Sequence, residues 1–163
     1  MSKKIFKTAS SPDTKKLIKN LRRSKKKIVF TNGVFDIMHF GHIDYLRKAK
    51  ALGDILIVGL NTDSSVKKFK SKERPVQNQS DRAAILTALE AVDYVIMFSE
   101  ETPEKLIQMV RPDVLVKGAD YKISEIVGAA FVKSYGGKVK RIKLARGRST
   151  TAIIKKIKQM KNI

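Results

Sequence analysis

The chain has 163 residues, 42% of them hydrophobic and 31% charged, which suits one soluble domain with its own core and is short for two. It contains no cysteine, which excludes a disulfide framework, a thiol nucleophile and a thiolate metal site. The formal net charge is +20, a bias toward phosphorylated or polyanionic partners.

That charge is unevenly spread. Residues 1–27 carry 11 Lys and Arg against Asp13 alone, and residues 152–163 carry four lysines and no acid. The middle, 28–151, holds 20 basic and 14 acidic residues. The basic ends read as solvated lysine-rich faces, so nucleic acid is not the expected partner. The polar start, Met1 to Asp13, lacks a signal-peptide run, and no stretch nears the roughly 20 apolar residues of a membrane span. A cytoplasmic protein is expected.

In chain order, Pro12 to Arg23 predicts a surface helix with Leu17, Ile18 and Leu21 inward, part of a basic N-terminal helical extension over 1–27. The main domain, 28–163, opens with a buried strand at Lys27 to Thr31. A helix follows over His42 to Leu52, with Gly53 as its stop. Asp54 to Asn61 is a second strand, and Asp81 to Val92 a helix capped by Ser80. Tyr94 to Phe98 is a third strand, and Thr102-Pro103 opens another helix. Asp113 to Lys117 is a fourth strand, Ser124 to Tyr135 a helix, Val139 to Leu144 a fifth and more polar strand, and Ser149 begins the last helix. Continuous apolar strands alternating with helices predict an α/β fold. The expected form is a single Rossmann-like, doubly wound, five-stranded, mainly parallel sheet with helices on both faces. Ligands in such sheets sit beyond the carboxyl ends of the strands, here just after Phe30, Leu60, Val116 and Leu144.

Four segments at those ends carry chemistry. After the first strand come Thr31, Asn32, Gly33, Val34, Phe35 and Asp36, then His39, Phe40, Gly41 and His42 at a helix entry. Free backbone N–H groups and the helix dipole there suit an anion, and Gly33 and Gly41 permit close approach of a phosphate. His39 and His42, the only two histidines, stand three apart and can both donate to phosphoryl oxygens. No third ligand accompanies them, so no metal-ligating residue is assigned. After the second strand, Asn61 and Asp63 lead into a basic segment with Lys67, Lys68, Lys70 and Arg74. After the fourth come Lys117, Gly118, Asp120 and Tyr121, where Gly118 suits a close approach to a base or ribose and Asp120 can accept from a sugar. Ser149, Thr150 and Thr151 open the last helix, and serve equally well as phosphate donors or as caps.

TNGVFD followed by HFGH resembles the HxGH signature of the cytidylyltransferase-like nucleotidyltransferase superfamily. Class I aminoacyl-tRNA synthetases share a related motif, and KFKSK at Lys68 to Lys72 faintly resembles their lysine signature. The chain is too short for them, and that cluster comes too early. The segments LGDILIVGLNTDSSVKKFK, RPV, LEAVDYVIMFSEETPEKLI, RPDVLVKGADY and GRSTTAIIKKI narrow the resemblance to adenylyltransferases acting on D-glycero-β-D-manno-heptose 1-phosphate. VKGxDY and the acidic TP turn favour these over glycerol-3-phosphate cytidylyltransferases, which share HxGH and the terminal STT. Ala145-Arg146 departs from the acidic or neutral residue expected before the glycine.

The resemblance implies ATP as co-substrate with Mg²⁺, a sugar phosphate acceptor, no membrane, and a homo-oligomer, dimer or higher. It implies in-line attack of the acceptor phosphate on the α-phosphorus, with His39 and His42 stabilising charge and Lys70 holding the acceptor. Thr31, Asn32, Gly33, Val34, Phe35, Gly41, Asn61, Asp63, Lys117, Gly118, Asp120, Tyr121, Ser149, Thr150 and Thr151 would bind the nucleotide. Two alternatives stand beside it: a CTP-dependent enzyme acting on glycerol 3-phosphate or another phosphorylated alcohol, and a non-catalytic nucleotide or nucleic-acid binder.

Overall fold

A computed structural model describes residues 4–71, 73–145 and 147–160. Lys72 and Arg146, which end the lysine cluster and mark the departure before Gly147, lie outside the described residues. The elements in chain order are β1 (Ile5–Phe6), α1 (Pro12–Arg23), β2 (Ile28–Gly33), α2 (Phe40–Lys50), β3 (Ile55–Asn61), α3 (Asp63–Phe69), α4 (Gln79–Ala88) and β4 (Tyr94–Phe98). They continue with α5 (Glu104–Val110), β5 (Val114–Gly118), a 3₁₀ turn (Ile123–Glu125), α6 (Ala129–Ser134), β6 (Lys138–Ile142) and α7 (Thr150–Met160).

The strands form one parallel sheet in the order β1-β4-β3-β2-β5-β6. Every residue of β3 is buried, which accounts for its unbroken apolar run. Alternate side chains serve opposite faces: Ile55 and Ile57 join Ile18, Leu21, Leu106, Ile107 and Val132 on one, whereas Leu56, Val58 and Leu60 join Leu46, Ala49, Ala83 and Leu86 on the other. Thus α1, α5 and α6 cover one face, and α2 and α4 cover the second. No helix among the described residues is long and apolar enough to cross a membrane.

The sheet has six strands, one more than the sequence reading, because Ile5–Phe6 pairs in parallel with β4. Two residues are too few to leave a periodic signal. Phe6 is nevertheless buried in the same cluster as Ile18 and Leu21 of α1. The expected Ser124–Tyr135 helix is broken at Gly128, whose φ of +82° is left-handed and whose missing Cβ would lie 2.8 Å from Ile107 Cδ1. Helix α4 starts at Gln79 rather than Asp81, and its cap is Asn78, whose side chain accepts from Asp81 N at 2.9 Å; Ser80 is inside the helix. The basic segment after β3 turns out to be helical over seven residues, capped by Thr62. Strand β6 is largely exposed, and its lysines blunt an edge that would otherwise template pairing.

Candidate active site

The crossover from β2 runs to β3, while that from β5 runs the other way to β6, so the sheet's winding reverses between β2 and β5. A cleft of about 450 Å³ opens there, lined by residues at or beyond the ends of five strands: Asn32 to Phe35 at β2, Asn61 at the end of β3, Glu101 after β4, Lys117, Gly118, Asp120 and Tyr121 around the end of β5, and Leu144 after β6. The fold thereby places the chemistry where the strand-end rule expects it.

The β2–α2 junction forms the centre. Phe35 takes a left-handed φ of 46°, tucks its ring into the core and meets the His42 ring edge-on at 5.3 Å. His39 is the extended residue before α2, and His42 lies in the first turn, its N–H donating to His39 O at 2.9 Å. Their rings stack at 3.9 Å, with 23° between planes. Burial lowers the pKa of His42 to about 4, helped by His39 and opposed by Asp36. Burial, then the Arg148 charge, lowers His39. Both rings are therefore neutral near pH 7, each with one N–H to donate. Their Nδ1 atoms are buried and have no hydrogen-bond partner among the described residues.

Gly41 has a different role from the close phosphate approach expected of it. A Cβ there would sit 3.0 Å from the His39 ring and 3.2 Å from Arg148 Cβ, so glycine makes room for the imidazole and for the segment before α7. At Gly118 a Cβ would meet Asp120 Oδ1 at 2.2 Å, so the carboxylate folds back over that glycine.

Asn32, Gly33, Val34, Phe35, His42, Asn61, Lys70, Lys117, Gly118, Asp120 and Tyr121 all line the cleft. His39 reaches it through its stack on His42. Lys117 Nζ donates to Asn32 O at 3.2 Å and lies 5.4 Å from the Tyr121 ring centroid. Burial lowers its pKa to about 8, opposed by Asp120. Other expected residues act from behind. Thr31 is buried and hydrogen-bonded to Tyr45 Oη at 2.7 Å, with the Tyr45 side chain lining the cleft. Asp63 is held by Arg82 at 2.6 Å and accepts from Gln79 N at 3.1 Å. Ser149 accepts from Ala152 N at 3.1 Å as a cap, Thr150 donates to Ile37 O at 3.3 Å, and Thr151 is exposed. Thr150 thus ties the start of α7 to the histidine loop.

Sequence reasoning missed the frame around the cleft. Asp36 is buried and accepts from Arg74 Nε at 2.7 Å and from Val76 N and Gln77 N at 2.9 Å each. Arg82, 1% exposed, donates to Val34 O, to Asn61 O at 2.9 Å, to Gln77 O at 3.0 Å and to Asp63. Asp36 stood in the quoted motif and could have been found there. Arg82 left no signal, because an arginine in an amphipathic helix reads as solvent-facing. Phe69, Glu101, Pro103 and Leu144 complete the walls.

Among the described residues no three His, Cys, Asp or Glu side chains come together as a metal cage. The cleft's donor set is instead imidazoles, lysines and backbone, which suits phosphoryl oxygens.

A Rossmann-like sheet with stacked, neutral histidines at the start of α2, beside a cleft that presents Lys70 and Lys117, is the arrangement the HxGH signature describes. The chain belongs to the cytidylyltransferase-like family, whose model matches residues 30–160. It is 55% identical over 148 residues to the bifunctional protein HldE of Wolinella succinogenes, covering 91% of this chain and 30% of that protein. It is 53% identical to the bifunctional protein HldE of Helicobacter pylori strain J99, covering 90% and 31%. The chain thus spans about a third of the length of these curated relatives. The crystal structure of a lipopolysaccharide core biosynthesis protein from Thermoplasma volcanium superposes with a TM-score of 0.61 at 32% identity, covering 76% of this chain and 99% of that one. A pantoate-beta-alanine ligase from Francisella tularensis shares the fold at a TM-score of 0.55 and 19% identity, over 87% of this chain and 67% of the ligase.

Proposed function

We propose that the chain transfers AMP from ATP to D-glycero-β-D-manno-heptose 1-phosphate, giving ADP-heptose and pyrophosphate. The observation that carries the chemistry is the stacked, neutral His39–His42 pair at the start of α2, facing a cleft that also presents Lys70 and Lys117. The sugar rests on the resemblance of the VKGADY and acidic TP segments, and on relatives that include a lipopolysaccharide core biosynthesis protein.

An acceptor phosphate oxygen attacks the α-phosphorus in line. The bond from that phosphorus to the bridging oxygen breaks, and pyrophosphate leaves with the oxygen. The acceptor is already an anion at neutral pH, so no strong base is needed and catalysis reduces to positioning and charge stabilisation. His39 and His42 donate hydrogen bonds to the phosphoryl group and the departing pyrophosphate. Being neutral, they polarise without needing to lose a proton. Lys70 holds the acceptor phosphate, while the start of α7 from Ser149 to Thr151 receives the outer phosphates. Backbone groups at Val34, Phe35 and Gly118 hold the nucleoside. Mg²⁺ entering with the triphosphate would supply further charge neutralisation in the cleft beside His42, Lys70 and Lys117. The setting is the cytoplasm, where both substrates are soluble, and the working form a homo-oligomer.

Pyrophosphate release with Mg²⁺ and heptose 1-phosphate, comparing ATP with CTP, tests this reading. Strong ATP-dependent release is expected. Turnover only with CTP and glycerol 3-phosphate would overturn the substrates and keep the chemistry. Salt-sensitive nucleic-acid retention without any turnover would overturn both.

A further inference from the structure

Resting on the reading above, we propose that the half of the cleft beyond β3 and β4 is the seat of the acceptor's hydroxyl-bearing part, and that Glu101 selects acceptors by accepting hydrogen bonds from those hydroxyls. Glu101 lines the cleft, yet among the described residues it has no ion pair or hydrogen bond. Every reacting group in the proposed chemistry is an anion, which an unpaired carboxylate repels. Among the described residues Glu101 pairs with neither cleft lysine, which leaves it free to accept from a neutral group with protons to donate, and a polyol is the richest such group.

The neighbours of Glu101 fit this assignment. Phe69, at the end of the helix that follows β3, the strand beside β4, lines the same cleft and is 51% exposed, an apolar plate suited to the C–H face of a sugar ring. Lys70, the next residue, provides the cation for the phosphate at the ring's end. Aromatic plate, cation and carboxylate together describe a sugar phosphate. The opposite half differs: Gly118, Tyr121 and Leu144 offer a backbone edge between apolar side chains, which suits a flat base. Asp120 is no rival to Glu101, because its carboxylate is folded against Gly118 on that nucleoside side.

The experiment compares wild type with E101Q, E101A and K70M, using heptose 1-phosphate and ethyl phosphate as acceptors with ATP. Glu101 is exposed and unbonded, so its variants should melt with the wild type. For E101A, kcat/KM with heptose 1-phosphate should fall about 10- to 100-fold, the cost of losing hydrogen bonds to a charged group. Its KM for ATP and its rate with ethyl phosphate should hold, and K70M should weaken both acceptors. An equal loss with both acceptors, a raised KM for ATP, or no loss at all would overturn the assignment. Absence of turnover in the wild type would instead overturn the proposed reaction. Calorimetric binding of the two acceptors then decides on Glu101 alone: weakening in E101A confined to heptose 1-phosphate, and smaller in E101Q because its amide oxygen still accepts, supports it, and unchanged binding in E101A refutes it.

Discussion

The β2–α2 junction lines the cleft and the start of α7 lies behind it, tied to the histidine loop, and the two are held in opposite ways. Around the junction, Asp36 and Arg82 are buried side chains whose hydrogen bonds tie Val34, Asn61, Asp63, Val76 and Gln77 to one another. Helix α7 buries no residue at all, and Ile157 and Met160 remain 49% and 59% exposed. Its described tie to the histidine loop is the single bond from Thr150 to Ile37 O. The difference matches the roles proposed for the two parts. Two imidazoles aimed at a phosphoryl group lose effect with small displacements. On the proposed reading, the α7 start can close over the outer phosphates after they arrive, and few buried contacts make that motion cheap.

The comparison breaks most visibly at Arg82. Arg82→Ala leaves Asp63 and three carbonyls without their donor, so denaturant unfolding should show a loss of about 3–5 kcal/mol. An unfolding midpoint close to wild type would mean that the frame is dispensable. Next in size, His39→Ala and His42→Ala should each lower kcat by about 10²- to 10³-fold, as removal of a phosphoryl donor does, with the melting temperature nearly unchanged. Near-normal turnover in both variants would end the proposed mechanism.

A smaller effect concerns pH. The folded pKa of His42, about 4, lies below the ordinary value of 6.5, so between those values the unfolded chain binds the extra proton. Stability from this group is therefore fully present above about pH 6.5 and is lost as pH falls toward 4. His42→Gln should flatten that limb of the stability curve, and an unchanged acid limb would show that the ring is not buried as described. The smallest effects belong to α7. Ser149→Ala removes a cap worth about 1 kcal/mol of local helix stability, so amide exchange in α7 should quicken and the KM for ATP rise, while global unfolding stays put. Global destabilisation by Ser149→Ala would place α7 in the cooperative core.

The same contrast explains what could be read in advance. The HFGH pair, the strand-end glycines and the lysines at 70 and 117 announced themselves by residue type and place; His42, Gly33, Gly118 and both lysines line the cleft, and His39 stacks on His42. Thr31 and Asp63 carried the same signal but turned inward, one to Tyr45 and one to Arg82. Whether a polar side chain beside a strand end faces ligand or scaffold depends on partners distant in sequence. Asp36 finds Arg74 that way, 38 positions on. Glu101 shows the reverse case, a residue that reads as a solvated turn until the fold brings it into the wall of the cleft.

By itself, the sequence determined the parallel α/β layering, because apolar runs of strand length alternating with amphipathic helices can bury their faces in few other ways. It also determined the class of chemistry, since two histidines spanning a glycine at a helix entry are a local arrangement. Only the tertiary structure decided the sixth strand, the break at Gly128, the reason for Gly41 and the Arg82 frame. Each of these depends on an atom from elsewhere in the chain occupying a particular space: β4 beside Ile5, Ile107 against Gly128, Arg148 against Gly41, and four acceptors around one guanidinium. Local pattern carries periodicity and residue chemistry, and such long-range filling of space has no period to read.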